Sequence, residues 1–265
     1  MIEHSETNPG EHFGDVFEEE ADLLGYSPID GYVARDLGPG SQVDRGATRL
    51  WYPEAVTTFE MPSRGRYKDD YPKGAVVHFT AGRCDDGDPH AEQTIRHGAG
   101  QGHCYFCISQ TGRVYQTAPL SHWGYHAGKS YHAGLGSSLS AKLVGIEVCC
   151  AGRVNKTANG YEPWWNKPGA SSNNYYVEEQ VRFAIAGENI TETGHYHKYT
   201  QNQEVSLVKL LMWLHQNCPS VFEIGYVLGH DEIAPQRKND PGGSLSLTMP
   251  QLRVRLQKEI RIPTS

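Results

Sequence analysis

Three short apolar runs constrain this chain more than any other feature. They are "GAVVHFTAG" (74–82), "LVGIEVCCAG" (143–152) and "FEIGYVLGH" (222–230). Each carries an ionisable side chain that a core would not choose: His78, Glu147 and His230. Short apolar runs bounded by Gly read as buried strands. Around them, "HCYFCISQTGRVYQTA" (103–118) predicts a hairpin about a Gln-Thr-Gly turn. "QNQEVSLVKLLMWLHQN" (201–217) predicts an amphipathic helix, with Leu207, Leu210, Leu211 and Leu214 on one stripe. "TMPQLRVRLQKEI" (248–260) predicts another, capped by Thr248 with Pro250 just inside it. A helix is also expected from Asp88 as cap with Pro89 at its first position, and a short one around 177–187. Such mixing implies an α/β fold, a central mixed β-sheet flanked by helices. The main domain is expected over 71–262, with an aromatic-rich insertion at 153–199 and an acidic, irregular extension at 1–70 packing on it.

The ionisable residues on these runs suggest a site. A lone His after a strand is most often a cap or a surface residue. Here two such His residues join Asp240, which lies in the Pro-bounded stretch "GHDEIAPQRKNDPGG" (229–243). Catalytic zinc takes three protein ligands of nitrogen or oxygen type and keeps a fourth position for water. His78, His230 and Asp240 fit that count, although thirteen His residues offer many accidental triples. Glu147 is flanked by Ile146, Val148 and Cys149, and a buried carboxylate is costly unless it is paired or opens into a cleft. It would serve as a general base; the alternative is a Glu on the solvent face of its strand. Lys238, two residues before Asp240, could stabilise an oxyanion or could be an ordinary exposed loop Lys.

"VVHFTAG", "WGYHAG", "VGIEV" and "GHDEIAPQRKNDPGG" occur in that order, and together they resemble the type 2 N-acetylmuramoyl-L-alanine amidases. This zinc family includes phage lysozyme-like amidases, bacterial muropeptide amidases and peptidoglycan recognition proteins. The resemblance implies the zinc-amidase, peptidoglycan-recognition-like fold, Zn2+ as cofactor, and peptidoglycan or muropeptides as substrate. It implies that His78, His230 and Asp240 are the zinc ligands, Glu147 the catalytic acid, and Lys238 the stabiliser of the tetrahedral intermediate. It also implies that His126 belongs to the substrate cleft, with Trp123 nearby. Phage lysozyme-like members have a Tyr at the start of the hairpin and a Cys as third ligand. Here the hairpin reads Cys104–Tyr105–Phe106, out of register for that Tyr, and Asp240 stands at the ligand position. Two other readings stay open, a peptidoglycan-binding module without activity and a zinc peptidase acting on stem peptides.

Residues 1–24 hold eight acidic side chains and no Lys or Arg, which leaves 23 acidic against 24 basic residues in the body. That near-neutral body argues against a nucleic-acid module. No run approaches the roughly 18 apolar residues of a membrane span. The first twenty residues lack a basic region followed by an apolar one, so no secretory signal is expected. Synthesis in the cytoplasm, action on the cell wall or its fragments, and a monomeric chain are the expectations. The six Cys residues are expected to be mainly buried thiols, with Cys104 and Cys107 on opposite faces of a strand. In the insertion, Trp164 and Trp165 are adjacent, so an extended segment would turn only one inward. The other is a candidate wall of the substrate groove, against a plain packing role for the whole segment.

Overall fold

The computed structural model describes residues 51–261, apart from positions 63, 85, 86, 169, 171, 172, 188, 189 and 219. The acidic arm expected at the start of the chain lies outside the described residues.

The first sheet is mixed, as expected. Strand β1 (Ala75–Phe79) lies between β4 (Val144–Val148) and β9 (Val227–Gly229), parallel to both. Strand β2 (Phe106–Ile108) continues the sheet parallel to β4, and β3 (Val114–Gln116) closes it antiparallel to β2, giving the order β3-β2-β4-β1-β9. The edge at β3 is covered. Val56 N–H donates to Val114 O, Gln116 N–H donates back to Val56 O, and Met61 N–H donates to Thr117 O. Tyr52, Phe59 and Met61 are buried in the main core beneath this strap. An edge strand shielded in this way offers no free ladder to another chain.

Helix α1 (Asp88–Gln101) follows β1, α2 (Gln201–Asn217) contributes the expected leucine stripe, and the short α3 (His230–Ile233) follows β9 directly. Helix α4 (Met249–Arg261) ends the described chain. Leu207, Leu210, Leu211 and Leu214 are buried in the same cluster as Val77, Ile146 and Val148. Thr200 caps α2 by accepting from Gln203 N–H while Gln203 Oε1 accepts from Thr200 N–H. Thr248 and Gln251 make the same reciprocal pair at α4.

Four local expectations are corrected. Asp88 does not cap α1. The cap is Gly87, and the Asp88 carboxylate instead accepts from the hydroxyls of Ser109 and Thr111, clamping the hairpin turn. The helix expected around 177–187 is a single 3-10 turn, Glu178–Gln180, followed by strand β7 (Val181–Ala184). Pairing with β8 (Gly194–His197) wins over helical propensity there. The insertion is an independent antiparallel sheet rather than an irregular loop. Its remaining strands are β5 (Arg153–Thr157) and β6 (Gly160–Pro163), in the order β6-β5-β8-β7. Finally, Cys104 precedes β2 with φ 65°, and this left-handed residue breaks the alternation, so its thiol meets that of Cys107 instead of facing away. All six thiols are free and buried.

The face assignment of α2 is open to test. Leu210→Ala should cost about 2–5 kcal/mol in urea unfolding. Val205→Ala, at a position 41% exposed, should stay within about 0.5 kcal/mol. Equal costs at the two positions would mean that the helix packs by another face.

Candidate metal centre

The register of the first sheet assembles the site. His78 of β1 stands directly beside Glu147 of β4, and Glu147 beside Cys107 of β2, so the three project from one face. His230 begins α3 where β9 ends, next to β1. The loop after α3 then returns Asp240 to the same point, with Asp231 N–H donating to Asp240 O at 2.8 Å. His78 Nδ1 lies 2.9 Å from His230 Nδ1 and 2.9 Å from Asp240 Oδ2, and His230 Nδ1 lies 3.0 Å from that oxygen. All three residues are buried.

The surrounding hydrogen bonds decide where the protons are. His230 Nε2 faces only a carbonyl, Ala127 O at 3.1 Å, so it must carry the proton and donate. Burial pulls the His230 pKa down to about 4, so the ring is neutral near pH 7 and its Nδ1 is bare. His126 Nε2 likewise faces Leu143 O at 2.9 Å and donates to it. Burial holds His126 well below its usual range, so its Nδ1 is a bare acceptor. His78 Nε2, 3.1 Å from that nitrogen, must then be the donor, which turns Nδ1 toward His230 and Asp240. Burial would raise the Asp240 carboxyl, yet the His230 and His78 rings against it hold it well below the usual carboxylate range.

Two ring nitrogens and a carboxylate oxygen thus face one another at about 3 Å, an arrangement favourable around a cation. Two imidazoles and one carboxylate, each imidazole donating its other N–H to a fixed acceptor, form a donor set that suits zinc.

Glycines make the arrangement possible. A Cβ on Gly145 would lie 2.7 Å from His126 Cγ, so the Gly of "VGIEV" leaves the space in which the His126 ring lies against the sheet. The chain carries "YHAG" twice, at 125–128 and 131–134, and only the first copy supplies this ring. His132, of the second copy, packs edge-on against Tyr226.

Glu147 borders a cavity of about 260 Å³ that α1 roofs with His90, Gln93 and His97. Its Oε2 is inaccessible and has no hydrogen-bond partner among the described residues. Burial raises its pKa; the charges of His78 and Lys238 oppose this and that of Asp240 adds to it. Lys238 is close enough that its charge also acts on His230.

Both residues expected at the substrate cleft are buried. His126 is buried, and both its ring nitrogens are engaged, by His78 and by Leu143 O. Trp123 is buried in a separate cluster with Tyr67 and Tyr125, over Gly65. The adjacent tryptophans of the insertion do divide. Trp165 packs on the main core, whereas Trp164 is 41% exposed and donates Nε1–H to Ala81 O at 2.9 Å. Ala81 lies on the loop between β1 and α1, whose Arg83 also borders the cavity.

Comparison with known proteins adds the following. The family model described as N-acetylmuramoyl-L-alanine amidase matches residues 68–243. Among solved structures, the chain is similar to a selenomethionine derivative of AmpD, with 19% identity, 78% of this chain and 96% of that chain covered, and TM-score 0.45. It is similar to AmiD from E. coli, solved with anhydro-N-acetylmuramic acid-L-Ala-D-gamma-Glu-L-Lys, with 19% identity, 73% and 61% covered, and TM-score 0.46. It is also similar to the endolysin amidase LysCS from Clostridium intestinale, with 14% identity, 78% and 98% covered, and TM-score 0.41. No match was found among curated proteins.

The proton arrangement can be tested through metal affinity alone. His126→Leu removes the acceptor for His78 Nε2–H and should weaken zinc binding by about 10–100-fold in chelator competition. His126→Asn, which can place its amide oxygen near the Nδ1 position, should stay within a few-fold of wild type. Wild-type affinity in the Leu variant would refute the assignment.

Proposed function

The chain belongs to the N-acetylmuramoyl-L-alanine amidase family, and from that premise we propose that it is a zinc-dependent amidase of peptidoglycan. The bond cut is the amide between the lactyl group of N-acetylmuramic acid and the L-alanine of the stem peptide. The observation that carries the zinc reading is the convergence of buried His78 Nδ1, His230 Nδ1 and Asp240 Oδ2 at about 3 Å.

In this reading His78, His230 and Asp240 hold zinc, which when bound supplies a Lewis acid that polarises the carbonyl and acidifies water. Glu147 does the proton work. It stands beside His78 in the strand register, and its raised pKa brings it nearer the operating pH than an ordinary Glu. Its carboxylate takes a proton from the attacking water and returns it to the departing alanine amine. Lys238 places a positive charge beside the carbonyl oxygen as negative charge develops there. The stem peptide, in this reading, approaches through the cavity bordered by Glu147 and α1. On the same reading Trp164, half-exposed and bonded to the loop that carries Arg83, extends the rim beyond the cavity lining.

Mass spectrometry of digested sacculi tests the bond assignment: an amidase releases stem peptides that begin with a free L-alanine amine. Neither a binding module nor a stem peptidase does so. A metal chelator should abolish release, and Asp240→Ala should lose zinc. Glu147→Gln should keep zinc and lose roughly 10²–10⁴-fold in turnover. Wild-type turnover in Glu147→Gln, or full activity in a metal-free preparation, would end this reading.

The two tryptophans give a separate expectation. Trp164→Ala should weaken activity on polymeric peptidoglycan with little change in thermal midpoint, and Trp165→Ala should lower the midpoint. If both cost stability and neither selectively changes turnover, Trp164 is packing and not rim.

A further inference from the structure

The sheet formed by β5–β8 is built against the loop that carries Lys238 and Asp240. On the N-terminal side of Asp240, Thr191 Oγ1 donates to Lys238 O at 3.1 Å, and Asn239 Nδ2 donates to Glu192 Oε2 at 3.3 Å. On the C-terminal side, Arg182 Nη1 lies 2.9, 3.3 and 2.7 Å from the carbonyl oxygens of Gly243, Ser244 and Leu245. Tyr199 N–H donates to Ser244 O at 2.9 Å, while the Tyr199 hydroxyl donates to His78 O at 2.9 Å.

Packing repeats the pattern. A Cβ on Gly242 would lie 2.7 Å from Tyr196 Cε1, and one on Gly243 would lie 2.6 Å from Ala184 Cβ and 2.7 Å from Tyr196 Cδ2. The two glycines of "DPGG" are therefore the surface on which β7 and β8 rest. Arg182, Tyr196 and the segment from Thr191 to Tyr199 all belong to the insertion, and they touch the loop on both sides of Asp240 without belonging to the donor cluster.

We propose that this second sheet is the positioning element of the metal centre. It fixes the backbone of 238–245, and with it the Asp240 ligand and the Lys238 charge, through Arg182 and Thr191. This rests on the zinc reading of the site. A ligand or charge displaced by about 1 Å can cost on the order of 10² in rate, and a metal constellation has to be held within about 0.5 Å by its supporting shell. An arginine gripping three successive carbonyls, with a threonine gripping the carbonyl of the other functional residue, supplies that restraint.

Three variants of the full chain test it: Arg182→Met, Arg182→Lys and Thr191→Val. For each, zinc affinity is measured by chelator competition, kcat and KM on a muropeptide, and the thermal midpoint with and without zinc. Arg182→Met should weaken zinc binding on the order of tenfold at temperatures where it is fully folded, and Arg182→Lys should restore part of that loss. Thr191→Val should keep zinc and lower kcat several-fold with KM little changed, because it loosens Lys238 and not the ligands. If Arg182→Met does not fold, Thr191→Val decides. Wild-type zinc affinity and kcat in the folded variants, with only a lowered midpoint, would overturn the proposal and leave the second sheet a packing element. Zinc binding by the wild-type chain without amidase turnover would instead sink the functional reading, while the affinity comparison still decides the positioning role.

Discussion

The convergence of three buried ligand-type atoms is the constraint on which the rest of the site depends. His78, His230 and Asp240 come from a strand, a helix start and a returning loop, and they hold their donor atoms about 3 Å apart. That closeness is held from outside by Ala127 O and His126 on the two imidazoles and by Asp231 N–H on the Asp240 backbone. Ala127 O also accepts from Arg237 Nη2 at 3.0 Å, so the carbonyl that sets the proton of His230 is itself fixed by the loop carrying Asp240. The cluster is preorganised for a cation, and the free energy of binding one is available to stabilise the fold as well.

The parallel sheet gives this cluster its location. His78 lies near the C-terminal end of β1, His230 immediately follows β9, and Glu147 is the penultimate residue of β4. In α/β sheets the crevice beyond the carboxyl ends of the strands is where ligands bind, because chain leaving the sheet there can carry side chains back over the open end. The register does the fine work. A shift of one residue in β4 would turn Glu147 to the other face, into the leucines of α2, and bring Ile146 or Val148 to the site.

Much of this was legible from residues alone, for physical reasons. Buried strands announce themselves by apolar runs, so His78, Glu147 and His230 stood out as groups that a core does not tolerate without purpose. The leucine stripe of α2 follows a period that any chain must obey. What escaped were properties of pairing between distant segments. The helix expected around 177–187 is a strand because β8 lies beside it, and the second sheet is invisible where aromatics and turn residues alternate without a clear period. Asp88 reads as a helix cap, but the hydroxyls of Ser109 and Thr111 compete for its carboxylate. His126 and Trp123 share the motif "WGYHAG" and read as one cleft wall, yet one lies against His78 and the other in a separate packed cluster. The available signal was Gly145, whose missing side chain marks where a ring must lie on the sheet.

Three carboxyl groups gather at this end of the molecule, and their environments drive them apart. Asp240 lies against two imidazoles that hold it ionised despite burial, which suits a permanent ligand. Asp231, buried and facing the charge of Asp240, is pushed up to about 8, so it is mostly protonated at neutral pH and adds little negative charge beside the ligand. Glu147 is raised by burial, with His78 and Lys238 opposing the rise and Asp240 adding to it. A group that must both take and return a proton works best when neither state is strongly preferred, and divergent carboxyl environments separate such a group from its neighbours. The Lys238 charge acts on both Glu147 and His230, so removing it would change the electrostatics of the proposed proton carrier and of the donor cluster together.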